Sequence, residues 1–349
     1  MKEEEDYTLD KTDLRIIGLL ARDSRLSYEK IGFALNLTRN SIKTRIKRMV
    51  SNSVIQEFIT DINFAVLGYR IYYVFTKLEG KNDANTEDRN SSRRKMIIEH
   101  LNRLGDIIAD IEVLGGVSIF RVAMREANNS DITRKDNDDH AISLFLDTNL
   151  IEKAILARNT GSFQTNAHRR RQQSYLTPTD LKIIRCLVLN PQIGLADIAG
   201  SVSISTRTSN RILNKLKDEG VVRFSVICNP AAMKGLVVFG LLIYVNDDDN
   251  SSNVITEKNR SRKSSSHKVL ERLYTEFPEY PFLRSPLLSH DNIIIVSVFG
   301  NDVFAIDSMF KKILSFQEVK NAELYIFTTI KYHKDWIVRE IDRKLESKS

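Results

Sequence analysis

Across residues 10–22 the apolar positions Leu14, Ile17, Leu20 and Ala21, with Ile16 alongside, recur at a 3.6-residue spacing that predicts an amphipathic helix. Ser27 then stands before Ile31, Ala34 and Leu35 as a capping hydroxyl stands before a short helix. Asn36 and Leu37 make a turn, Thr38 caps a third helix, and Ile42, Ile46 and Met49 give that helix its inner stripe. Val54, Ile55, Phe58 and Ile59 read as strands of a wing. Three short helices with a tight turn before the third predict a winged helix-turn-helix.

After Gly68 the period falls to two. Residues 69–78 form a β-branched and aromatic run, followed by a polar stretch at 80–92 and a helix carrying Met96, Ile97, Leu101 and Leu104. Strands are expected at 107–114 and 117–124, turning at Gly115 and Gly116, then a short helix at 141–146 and a strand at 151–158. The order βαββαβ predicts an antiparallel sheet with helices on one face.

The pattern then returns at a constant offset, 176 − 9 = 167 and 235 − 68 = 167. Leu9, Thr12, Asp13, Leu14, Ile16, Ile17 and Leu20 reappear as Leu176, Thr179, Asp180, Leu181, Ile183, Ile184 and Leu187. Helices are expected at 179–189, 195–202 and 206–219 and a wing at 221–226. The second sheet domain would hold strands at 236–245, 281–288, 293–300 and 322–329, with helices at 267–276 and 303–314. A last amphipathic helix at 336–345 carries Ile337, Ile341 and Leu345 on one stripe.

The fold class is therefore α+β: tandem winged helix-turn-helix domains, each followed by a ferredoxin-like αβ-sandwich. The expected boundaries are 8–62, 63–163, a basic linker at 164–175, 176–229, 230–332 and a terminal helix at 333–349. Polar insertions at 80–92, 128–139 and 246–266 read as solvated loops, whose length costs little closure entropy.

At 349 residues the chain has room for several domains, and 42% hydrophobic and 28% charged residues are ordinary for a globular protein. The longest apolar run, 236–245, is too short to span a bilayer. The acidic start, residues 1–6, lacks the apolar core of a secretory signal. Two cysteines, Cys186 and Cys228, give no disulfide framework, and a reducing cytoplasm with no membrane contact is expected.

The net charge of +7 leans toward an anionic partner, and its placement says more than its sum. Residues 38–50 hold five Lys or Arg and no acid. With the apolar stripe turned inward, Asn40, Lys43, Thr44 and Lys47 face outward, flanked by Arg39, Arg45 and Arg48. Shifted by 167, the outward set is Arg207, Asn210, Arg211 and Asn214, with Lys215 at the flank. Most basic helix faces are merely solvated. Here the lack of acids, the third-helix position and the recurrence favour double-stranded DNA as the partner. Arg pairs best with guanine and Asn with adenine, whereas Lys mainly neutralises phosphate, so the two helices are expected to read different half-sites.

Arg169, Arg170 and Arg171 in the linker are as consistent with phosphate tracking as with plain solvation. The six histidines show no metal-site spacing, and no phosphate loop, nucleophile elbow or paired-carboxylate constellation stands out. No cofactor, metal or catalytic residue is expected.

At Leu9 to Ile17, Thr38, Val54, Ile55, Ile62, Asn63 and Gly68, and again at Leu176 to Ile184, Ser205, Val221, Val222, Asn229, Pro230 and Gly235, the chain resembles the Lrp/AsnC family of transcription regulators, archaeal members above all. The resemblance implies a recognition helix in the major groove and an αβ domain that dimerises and, in many members, binds an amino acid. The family's Gly-acid-Tyr-Asp turn is here Gly115-Gly116-Val117-Ser118, and Ser289-His290-Asp291-Asn292 in the second copy, which speaks against such an effector. Siroheme decarboxylases share this tandem architecture, and Arg284 and His290 keep that enzymatic alternative open; the acid-free helix at 38–50 weighs against it.

Two heads in one chain suit an intramolecular pseudo-dimer. Half-sites one helical turn apart need heads roughly 34 Å apart, and a linker of about eleven residues spans on the order of 36 Å. Self-association of two chains through the αβ domains is the alternative.

Overall fold

The computed structural model describes residues 8–77, 86–125, 151–157, 176–246, 265–277, 283–284 and 293–347. The first head comprises α1 (Lys11–Arg22), α2 (Tyr28–Leu35) and α3 (Arg39–Ser51), followed by strand β1 (Ile55–Ile62). Its sheet unit holds β2 (Tyr69–Lys77), α4 (Thr86–Leu104), β3 (Asp106–Val113), β4 (Val117–Arg125) and β5 (Ile151–Ala157). The second head comprises α5 (Pro178–Leu189), α6 (Leu195–Val202), α7 (Thr206–Asp218) and β6 (Val222–Cys228). Its sheet unit holds β7 (Val237–Val245), α8 (Ser265–Glu276), β8 (Leu283–Arg284), β9 (Ile293–Gly300), α9 (Val303–Leu314) and β10 (Val319–Tyr332), and α10 (Asp335–Glu346) follows.

The caps are where the pattern places them. Ser27 accepts from the Lys30 amide, Thr38 from Ser41 and Ser205 from Thr208, each satisfying an otherwise orphaned donor worth about 1 kcal/mol. The first helix of each head carries a capping box, Asp10 with Asp13 and Thr177 with Asp180. Asn36 and Ser203, both in the left-handed region, make the turns before α3 and α7.

The wings pair with each other. β1 and β6 form an antiparallel two-stranded ribbon whose register is two-fold about Ile59 and Ser225. Asp61 opposite Arg223 then corresponds to Ile227 opposite Glu57, and Thr60 opposite Phe224 to Val226 opposite Phe58. This register shows what the unbroken offset conceals. A bulge between Ile55 and Glu57 inserts one residue into β1, so strand equivalents lie 166 apart, as 225 − 59 shows. The offset of 167 is restored only by Gly68 and Gly235, after the 3₁₀ turns Phe64–Leu67 and Pro230–Ala232.

The two sheet units join edge to edge in the strand order β5-β2-β4-β3-β10-β7-β9-β8. The junction is β10, expected over 322–329 and found to run fourteen residues. Its first half pairs with β7, Ile326 opposite Phe239, and its second half with β3, Tyr332 opposite Ala109. Phe327, at the crossover, presses its ring where a Cβ on Gly240 would come within 2.4 Å, so glycine is required there. The inner faces also meet: the Phe75 and Tyr325 rings lie 5.4 Å apart. Lys153 of β5 reaches across to Glu323 and to the Tyr325 hydroxyl. One apolar core runs from Ile16, Ile46 and Leu187 in the heads to Phe75, Leu242 and Phe327 between the sheets. Separate cores lie beneath α4 and beneath α8 and α9.

Two expectations are corrected, at 80–92 and at Leu14. The polar stretch 80–92 is not all loop, because α4 begins at Thr86. Leu14, expected on the inner face of α1, is only partly covered, while its neighbour Asp13 is fully buried. Of the strand expected at 281–288, Leu283–Arg284 is found, paired with Ser297 and Val296 of β9, and the rest lies outside the described residues. The expected helix at 141–146, the insertion at 128–139 and the linker with Arg169, Arg170 and Arg171 lie outside the described residues. No helix among the described residues is long and apolar enough to cross a membrane.

Candidate nucleic-acid interface

Ile42, Ile46 and Met49 anchor α3 in the core, which leaves Arg39, Asn40, Lys43, Thr44, Lys47 and Arg48 exposed. In α7, Ser209, Ile212, Leu213 and Leu216 face inward, and Arg207, Asn210, Arg211, Asn214 and Lys215 are exposed. All eleven candidate residues thus lie at the surface, on two helices whose N-terminal amides are capped by a hydroxyl rather than a carboxylate. Neither helix has an acid in its first turn.

The cations divide by partner. Arg45 is drawn away from the outer face: it donates to Asp10 at 2.6 Å and to buried Asp13 at 2.8 Å. Burial raises the Asp10 carboxyl, but the Asp13 amide and Arg45 outweigh it and hold the group below its ordinary value. Arg48 leans the same way, 3.5 Å from Asp13, and Lys215 lies 3.5 Å from Asp180. These are equivalent positions, since 48 + 167 = 215 and 13 + 167 = 180. The flanking cations thus bind the third helix of each head to the capping box of the first. Arg39 pairs with Glu29 at 2.7 Å with both side chains mostly in solvent, a contact worth little and readily exchanged. Among the described residues, no acid stands within ion-pair distance of Lys43, Lys47, Arg207 or Arg211.

The heads are held against each other. The Arg25 guanidinium donates through Nη1 to the Pro191 carbonyl at 2.7 Å and through Nη2 to Ile193 at 2.8 Å. Gln192, its positional equivalent (25 + 167 = 192), donates back to the Ser24 carbonyl at 3.0 Å. The first helix of each head is also bonded to the other unit's ribbon strand, Ser225 to the Ala21 carbonyl and Thr60 to the Leu187 carbonyl. Lys217 reaches Asp23 at 2.8 Å. None of these inter-head residues stood out in the sequence. Only the equivalence of Arg25 and Gln192 in position, without likeness in type, could have drawn attention to them.

Groups of His, Cys, Asp or Glu able to hold a metal are absent among the described residues. Arg284 falls in β8, and His290 lies outside the described residues.

The architecture defines a tandem helix-turn-helix protein with fused αβ units. Residues 9–50 match the model of the AsnC-type helix-turn-helix domain, and residues 176–223 that of a winged helix-turn-helix DNA-binding domain. An uncharacterised HTH-type transcriptional regulator of Pyrococcus abyssi is 39% identical over 74 residues, 21% of this chain and 50% of that protein. One from Pyrococcus horikoshii is 29% identical over 133 residues, 37% of this chain and 78% of its own length. The chain spans about half the length of the first curated relatives it matches. Among solved structures, a siroheme decarboxylase aligns over 97% of this chain and 100% of its own at 13% identity and a TM-score of 0.45. Escherichia coli AsnC aligns over 48% and 99% at 15% identity and 0.27. At such scores neither likeness bears on function. The chain carries an AsnC-type helix-turn-helix domain at 9–50 and a second winged helix-turn-helix domain at 176–223, and resembles archaeal HTH-type transcriptional regulators in these segments.

Proposed function

We propose that this chain is a sequence-specific DNA-binding transcription regulator, not an enzyme, that sets α3 and α7 into successive major-groove half-sites of double-stranded DNA. The observation that carries this is the pair of exposed, acid-free helix faces on matched helix-turn-helix heads: Asn40, Lys43, Thr44 and Lys47 on one, Arg207, Asn210, Arg211 and Asn214 on the other. Arg39, Arg48 and Lys215 sit at the rims, where they serve backbone phosphates after exchanging their carboxylate partners. The heads are taken as 8–62 and 176–229, the sheet units as 63–163 and 230–332, and the intrachain pairing of β10 with β3 supports a pseudo-dimer formed by one chain. A cytoplasmic location follows from that role.

The two faces differ in chemistry. Lysines suit phosphate, while Asn210 and Arg211 suit adenine and guanine edges, so the target is asymmetric. The test is selection from a random duplex library, followed by binding at several salt concentrations. A regulator enriches an asymmetric composite site and loses affinity steeply with salt. Salt-insensitive or absent binding sinks the proposal, and a perfect inverted repeat sinks its asymmetry.

A further inference from the structure

We infer that the contact between the heads fixes the distance and rotation between the two half-sites, making Arg25 and Gln192 spacing-determining residues. The inference rests on the DNA-binding reading of α3 and α7. Arg25 spans two carbonyls of the second head with both arms of its fork, so it resists sliding as well as separation. Its guanidinium also lies over Phe224 of the ribbon at 5.2 Å, which ties the same side chain to the strand joining the units. The return bond from Gln192 to Ser24 closes the contact from the other side. Ser24 itself, buried, donates its amide to the Phe224 carbonyl at 3.2 Å.

Three structures therefore converge on one point: the loop after α1, the loop after α5, and the ribbon. A head tethered by a hinge alone could follow a half-site moved along the duplex. These heads have no such freedom. Each added base pair carries the second half-site about 3.4 Å onward and rotates it by roughly 34°. Both displacements would strain the Arg25 and Gln192 bonds first, because these join the two head loops directly, whereas Ser225, Thr60 and Ser24 bond each head to the ribbon.

The test uses the full chain and the composite site recovered by selection, with probes whose half-sites are moved closer or farther by one, two or three base pairs. The wild-type chain is expected to show one optimum, with affinity falling roughly tenfold or more one base pair away. The double variant Arg25→Ala/Gln192→Ala is expected to bind neighbouring spacings within about threefold of one another. Its affinity for a probe carrying a single half-site should be unchanged, a result that mere unfolding would not give. If the double variant melts early, Gln192→Ala alone replaces it, because that side chain is exposed and its loss removes only the return bonds. A flat wild-type profile, or one unchanged by the substitutions, overturns this inference while leaving DNA binding intact. Absence of salt-sensitive binding to every probe overturns the regulator reading, and the spacing inference with it.

Discussion

Asp61 of β1 and Arg121 of β4 face each other at 3.5 Å inside the core, both nearly excluded from water. Among the described residues, Oδ1 of Asp61 and Nε and Nη2 of Arg121 have no hydrogen-bond partner, so the contact is one of charge alone. The pair joins the head ribbon to the sheet. It illustrates a buried ion pair whose integrity matters more than its net contribution.

Arg121→Met alone would leave buried Asp61 with only the smaller pull of Arg223 and should destabilise the chain by about 3–5 kcal/mol. Asp61→Leu combined with Arg121→Met should recover most of that loss, because two apolar groups need no compensation. Denaturant melts of the two single variants and the double variant check this. Burial pushes the Asp61 carboxyl up against the pull of Arg121 and Arg223. A raised acid contributes stability that is present below its unfolded value of about 3.9 and is lost as pH rises through its folded value. Asp61→Asn should therefore remove a downward slope of stability with pH, read as the difference between the two proteins' profiles.

Arg45 and Lys43 are neighbours on α3 with opposite expected phenotypes. Arg45→Ala strips buried Asp13 of its nearest partner and should cost about 1–3 kcal/mol of stability. Lys43→Ala should change stability by less than about 0.5 kcal/mol while lowering the salt slope of DNA binding by about one. Thermal melts beside salt titrations separate the two.

On α7, Asn210→Ala and Arg211→Ala should each relax sequence preference in one half-site by about 1–3 kcal/mol while leaving the other half-site's preference untouched. Competition with singly altered duplexes measures it. Equal relaxation in both half-sites would contradict the division of labour between the heads.

Glu323 responds to acid in the opposite sense to Asp61. Burial raises its carboxyl, but bonds from Lys153, Tyr325 and Tyr244 outweigh that and leave it below its ordinary value. A lowered acid contributes stability that is present above its unfolded value near about 4.3 and is lost as pH falls through the folded one. Lys153→Met should shrink the loss of stability on acidification, measured by urea melts from neutral pH to about pH 3.

The helices were legible because their signals are local. Ser27, Thr38 and Ser205 precede their helices directly, and Ile42, Ile46 and Met49 mark a face by spacing alone. The outward faces of α3 and α7 followed from the same stripe. What escaped depends on distant partners. Arg45 reads as one more cation until Asp13, 32 residues earlier in the chain, lies beside it. Arg25 is an ordinary loop residue until the 191–193 loop closes on it. The bulge at Gln56 leaves the repeat's length unchanged, so only the pairing of β1 with β6 exposes it. The extent of β10 was hidden for the same reason: residues 327–332 find their partner in β3, on the other unit.

That shared strand has a consequence for dosage. A two-headed reader assembled from separate chains loses heads on dilution, and its occupancy falls faster than its concentration. Here both units belong to one chain, and β10 pairs with strands of each, so the second head is present at a concentration that dilution does not change. Occupancy of the target should then follow the first power of copy number, down to a few molecules per cell. On the DNA-binding reading, both recognition helices travel on one chain, so each copy carries the two specificities together.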